Sequence, residues 1–122
     1  MMYIAGEDNW SKFVECPLGV DTQQYSPFTL APRSEKDQPF TILCVGRLVA
    51  AKGQRILINA CQQLKNNGKD VHLVLVGTGP DEMHLKAQVT ASGLDDNITF
   101  TGTLNQEEVR QWYGKADVFA LA

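Results

Sequence analysis

Four short apolar runs punctuate the chain after residue 39: FTILCVG from Phe40, VHLVLVG from Val71, ITFTG from Ile98 and DVFALA from Asp117. Each is rich in β-branched and aromatic residues, nearly free of charge and too short for a helix, which predicts strands covered on both faces. Between them the apolar positions take on helical period. Leu57, Ala60, Cys61 and Leu64 stand at i, i+3, i+4 and i+7; Leu85 and Val89 repeat at i+4; Val109, Trp112, Tyr113 and Ala116 give the full pattern again. Gly68 and Gly93 follow the first two helices as C′ glycines do, and Asn105 with Glu108 three residues later predicts a capping box at the third. Strand and helix alternate at a spacing of roughly 25 residues, so the expected fold class is α/β. It is a doubly wound, Rossmann-like parallel sheet of about four strands, joined by right-handed crossovers.

Residues 1–39 follow neither period. Four of the five prolines fall there, at 17, 27, 32 and 39, and only FVECPLGVD from Phe13 reads as a short strand running into a turn. The expected organisation is a connector over 1–39 and one α/β unit over 40–122.

A chain of 122 residues supports one hydrophobic core. Its net charge of −3 and pI near 5.2 argue against general nucleic-acid or membrane-surface binding, so any anion site has to be local. Cys16, Cys44 and Cys61 are odd in number and contain no CxxC pair, and neither a signal-peptide pattern nor an apolar run of spanning length precedes them. A cytoplasmic setting with packed, reduced thiols is expected.

Local cations do occur. In CVGRLVAAKG, Arg47 and Lys52 lie just past the first strand, within the loop that leads into the first helix. Open α/β sheets bind ligands beyond the carboxyl ends of their strands, where glycines admit the backbone and helix N-termini offer N–H groups to anions. Gly46, Gly77 and Gly102 all end strands, and VGTGP adds Gly79 beside the first loop. Arg47 as a bidentate fork and Lys52 as a point charge suit a diphosphate; the R-x4-K spacing is equally compatible with two solvated loop charges. A P-loop is excluded because the second glycine and the hydroxyl after the lysine are missing, and a dinucleotide fingerprint fails because Glu82 stands where its third glycine belongs.

Other chemistry-bearing residues read as structural. His72 is placed near the head of the second strand, away from the binding end, and His84 on a helix surface. Glu107 and Glu108 are adjacent and cannot share a helix face, so capping and solvation account for them. Trp112 and Tyr113 keep period with Val109 and Ala116 and are expected to face the sheet, and Asp117 to cap or turn into the last strand. No His, Cys and Asp cluster has metal-ligand spacing.

Taken in order, FTILCVGRLVAAKG, LINACQQL, VHLVLVGTGPDEMHLK and GLDDNITFTGTLNQEEVRQWYGKADVFALA resemble the carboxy-terminal, donor-binding domain of retaining GT-B glycosyltransferases of family 4. PLGVDTQQYSP is similar to the PNGVDxxxF segment that precedes it, with Leu18 in place of the usual Asn. The resemblance implies a UDP-, GDP- or ADP-sugar donor, with Gly46, Arg47 and Lys52 at the positions that hold its diphosphate. Gly77 and Gly79 fall in a neighbouring nucleotide loop, and Gly102, Thr103 and Leu104 match the loop whose backbone meets the base. It implies glycosyl transfer to a hydroxyl with retention and no bound metal or cofactor, the two cations neutralising the leaving diphosphate.

The resemblance further implies an E-x7-E segment and two more strands after Ala122 and an amino-terminal acceptor domain before the chain, with FVECPLGVD as that domain's last strand. The chain is then expected to be an inactive fragment of an enzyme, and membrane association of the parent stays open. The last strand would leave a bare apolar edge suited to an edge-to-edge or swapped dimer. The alternative expectation is a non-catalytic α/β binding or interaction domain on the same scaffold.

Overall fold

The apolar run Phe40–Val45 forms β1 and Val71–Val76 forms β2, paired in parallel from Phe40 against Val71 to Val45 against Val76. Ile98–Gly102, β3, pairs in parallel with β2, and Val118–Phe119, β4, in parallel with β1. The order β3-β2-β1-β4 places β3 and β4 at opposite edges and makes the sheet an open, doubly wound one. This computed structural model describes residues 38–122, so Cys16, the proline-rich connector and the strand expected at Phe13–Cys16 lie outside the described residues.

Helices cover both faces, which is why β2 reads as a continuous apolar run. Its residues alternate: Val71, Leu73 and Leu75 pack with Ile58 and Cys61 of α1 (Gln54–Asn66) and with Leu85 and Val89 of α2 (Glu82–Ala91). Val74 and Val76 point the other way, packing with Leu43, Leu104 and with Val109 and Trp112 of α3 (Gln106–Lys115). Leu43, Ile58 and Leu73 are wholly enclosed, each burial stabilising the fold by about 1.5 to 3 kcal/mol.

The helix ends follow the sequence. Beyond α1 the Lys69 amide donates to the Leu64 carbonyl, and beyond α2 the Leu94 amide donates to the Val89 carbonyl, two Schellman closures at Gly68 and Gly93. At α3 the Glu108 amide donates to Asn105 Oδ1 at 2.8 Å while the Asn105 amide donates to Glu108 Oε2 at 3.1 Å, completing the capping box. Glu107 meets Arg110 at 3.3 Å on the exposed face.

Three expectations are corrected. The buried stripe of α1 runs through Gln54, Ile58 and Cys61, flanked by Leu57 and Leu64, and Ala60 faces solvent: centring the stripe on Ile58 buries far more apolar area than centring it on an alanine. Tyr113 is 41% exposed rather than packed on the sheet, its ring centroid 5.7 Å from that of Phe119, because β4 ends after Phe119 and offers no further sheet to cover. The strand expected over DVFALA is formed only at Val118–Phe119. The Asp117 and Ala120 amides donate to the Thr41 and Leu43 carbonyls at 2.9 Å each, and the chain then leaves the ladder.

Candidate functional site

Three loops leave the carboxyl ends of β1, β2 and β3 and are tied to one another. The Gly46 amide donates to the Val76 carbonyl at 3.0 Å, the Leu48 amide to the Thr78 carbonyl at 2.9 Å and the Gly77 amide to the Gly102 carbonyl at 2.9 Å. Thr78 Oγ1 lies 3.4 Å from Thr103 Oγ1. The contacts are close enough to dictate residue type. A methyl group on Gly77, whose φ is 128°, would overlap the Gly46 carbonyl oxygen, and one on Gly79 would overlap the Leu48 backbone. The structure therefore brings Gly46, Gly77, Gly79, Gly102 and Thr103 to one end of the sheet, with Leu104 half-buried beside them, its side chain packed against the α3 face.

A turn within the first loop brings Lys52 back toward β1. Val49 donates to the Arg47 carbonyl and Lys52 to the Val49 carbonyl, both at 3.0 Å, so that Ala50–Lys52 winds into one 3-10 turn and carries Lys52 back over β1. Its stem lies over Gly46, Cδ 3.8 Å from the position a Cβ there would take. Burial pushes the Cys44 thiol up from its ordinary value, and the Lys52 charge pulls partly in the opposite direction, which registers the ammonium near the end of β1. Arg47 and Lys52 are exposed, and among the described residues neither has an ion-pair partner.

The helix that follows adds positive potential. α1 starts at Gly53 with no side-chain cap and no acid in its first turn, whereas α2 opens with Glu82 and α3 with Glu107 and Glu108. The Ala122 backbone rests against Gly53, so the segment after β4 reaches the same corner. An anion meeting this surface would find two exposed cations that have no ion-pair partner among the described residues, while Gly53 and Gln54 at the start of α1 are buried.

A cleft of about 430 Å³ opens elsewhere, between α1 and α2, lined by Ala50, Arg55, Asp81, His84, Leu85 and Gln88. It contains neither Arg47 nor Lys52. Asp81 offsets Arg55 there, and the Gln88 amide is already engaged by the Arg55 carbonyl and Asn59 Oδ1. The strand-end loops, being open and cationic, are the stronger candidate. His72 Nε2 sits 2.7 Å from Thr99 Oγ1 near the start of β2, away from the strand-end loops, and His84 is exposed on α2, where it lines the cleft with Ala50 and Asp81. Among the described residues no group of three or more His, Cys, Asp or Glu could hold a metal ion, and no helix is long and apolar enough to cross a membrane.

Two residues escaped the sequence reading. Leu48 is enclosed and pins the first loop, its carbonyl accepting from the Asp81 amide at 3.1 Å. Gln54 is buried at 2% exposure and donates through Nε2 to the Arg47 carbonyl at 2.9 Å. The available signal was a glutamine four residues before Ile58, on the apolar face of α1.

Residues 28–122 match the family model described as glycosyl transferases group 1. The chain belongs to that family. Among group 1 relatives, a GDP-mannose-dependent alpha-(1-6)-phosphatidylinositol monomannoside mannosyltransferase of Mycobacterium tuberculosis is 34% identical over 111 residues, 86% of this chain and 29% of that protein. The C-terminal domain of a group 1 glycosyl transferase from Francisella tularensis is 30% identical at a TM-score of 0.65, covering 83% of this chain and 57% of that one. The Anabaena protein HepE, in complex with UDP and glucose, is 28% identical at a TM-score of 0.61, over 69% of this chain and 23% of its own. The group 1 chain described here thus spans under a third of the length of the curated relative.

Proposed function

We propose that this chain forms the donor-binding part of a retaining, family 4 glycosyltransferase that transfers a sugar from a UDP-, GDP- or ADP-sugar to an acceptor hydroxyl. The observation that carries the proposal is the pair of exposed cations, Arg47 and Lys52, without ion-pair partners among the described residues, at the joined carboxyl ends of β1, β2 and β3. Family membership, the GDP-mannose dependence in the name of one relative and the UDP and glucose held in the complex of another support it.

In the proposed reaction the bond between the sugar's anomeric carbon and the diphosphate oxygen breaks, and the bonding pair leaves with the nucleoside diphosphate. The acceptor oxygen bonds the same carbon on the same face and gives up its proton. Arg47 and Lys52 bind the diphosphate and stabilise the charge it gains in the transition state, with the Gly46 backbone close against it. The Gly77 to Gly79 and Gly102 to Leu104 loops flank the nucleotide, the second meeting the base through its backbone. No metal is needed for this neutralisation, and an amino-terminal domain supplies the acceptor.

The test is an anomer assay on the full-length enzyme. Proton NMR of the product formed from an α-linked donor should show an α-linkage, and Arg47→Ala should lower kcat/KM by at least about ten-fold. A β-linked product would overturn retention, and unchanged kcat/KM would overturn the assignment of Arg47.

A further inference from the structure

We infer that Gln54 is the positioning residue for Arg47, a role that rests on the donor-site reading above. The Arg47 side chain is exposed, and no ion pair among the described residues fixes its tip. Its backbone, by contrast, is held from two directions. Gln54 Nε2 donates to the Arg47 carbonyl at 2.9 Å, and the same oxygen accepts the Val49 amide at 3.0 Å. The next residue, Leu48, is enclosed in the core and engaged through both its amide and its carbonyl.

Gln54 is the buried polar residue of the described chain, at 2% exposure, in the first turn of α1 on the face that also carries Ile58 and Cys61. A leucine or methionine there would extend the apolar stripe. A buried amide at a position where an apolar side chain would fit costs desolvation, and the bond it makes goes to the one carbonyl whose orientation sets where the arginine leaves the loop. Gln54 therefore couples the start of α1 to the phosphate loop. It holds Arg47 and Lys52 at a fixed separation, because Lys52 lies immediately ahead of Gly53 and α1. Preorganisation of this kind lowers the ordering cost of binding without adding a contact to the ligand.

The experiment has two arms on the 122-residue chain, using Gln54→Met, or Gln54→Asn should the first variant fail to fold. The first arm needs no ligand: amide exchange at Leu48 and Val49 should quicken by about five-fold or more, while Ile58 and Cys61 in α1 keep their protection. Unchanged exchange at both loop amides overturns the tie. The second arm measures UDP, GDP and pyrophosphate binding in wild-type and Arg47→Ala backgrounds. The Gln54 substitution should weaken binding by about five-fold in the first background and by less than two-fold in the second. Equal loss in both would make Gln54 merely structural and overturn its role toward Arg47. Absence of binding by the wild-type chain would refute the donor-site reading itself, a failure that leaves the exchange result to stand or fall separately.

Discussion

Gly77 lies so close to Gly46 that a single methyl group on it would occupy the space of the Gly46 carbonyl oxygen. The ends of β1 and β2 can therefore meet, and the loops beyond them can share hydrogen bonds, only while residue 77 has no side chain. Its φ of 128° adds a second requirement, since that backbone region is rarely open to other residues. Gly77→Ala should destabilise the chain by about 2 to 4 kcal/mol in urea unfolding. A loss below about 0.5 kcal/mol would show that the two strand ends do not need this contact.

Both described thiols are expected to stay protonated well above neutrality. Burial raises Cys44 and Cys61 above the ordinary value of 9.0, with Lys52 opposing the shift at Cys44. Groups that hold their proton more tightly when folded contribute stability that is complete below pH 9 and lost as pH rises through the folded values. Unfolding midpoints should fall as pH rises above about 9, and by less in a Cys44→Ala, Cys61→Ala double variant. The same fall in both proteins would remove the thiols as its cause.

The capping box offers an independent check on α3. Asn105 and Glu108 each satisfy the other's amide, and the helix packs Val109 and Trp112 on the face that holds Leu43. Asn105→Ala should cost about 1 kcal/mol, measured as a lowered urea midpoint with an unchanged slope. No loss of stability would mean that the tertiary contacts of α3 hold it without a cap.

At the β4 edge, Val118 and Phe119 are 42% and 45% exposed, and β4 pairs only with β1 among the described residues. Such an edge, free of charge and proline between Val118 and Ala122, is a template for another strand. We expect the 122-residue chain to self-associate through it at high concentration, and Phe119→Lys to suppress the association. A sedimentation coefficient independent of concentration, equal for both proteins, would contradict this expectation.

The sheet was legible in the sequence because its signals are local and redundant: short continuous β-branched runs, glycines after helices and an Asn-x-x-Glu cap each reflect a backbone requirement that few residues meet. The placement of Arg47 and Lys52 in the loop after β1 was legible for a similar reason, since both follow the glycine that ends the strand. What escaped depends on through-space partners. Ile56 and Ile58 are both apolar, and only the packing against Leu73 and Leu75 decides that Ile58 is enclosed and Ile56 exposed. Tyr113 kept helical period with Trp112, but the extent of β4 beneath it is set by pairing with β1. Gln54 looked like one more polar helix residue until its bond to the Arg47 carbonyl gave it a role.

The central claim is that the loops after β1 and β3 form one nucleoside diphosphate site carried by Arg47 and Lys52. Titration of the 15N-labelled chain with UDP and with GDP measures this directly. The amides of Gly46 to Gly53 and of Gly102 to Asn105 should shift together along one binding curve, and Arg47→Ala or Lys52→Ala should each weaken that curve by about ten-fold or more. Shifts confined to the α1 and α2 cleft at Arg55, His84 and Gln88, or binding unchanged in both variants, would contradict it.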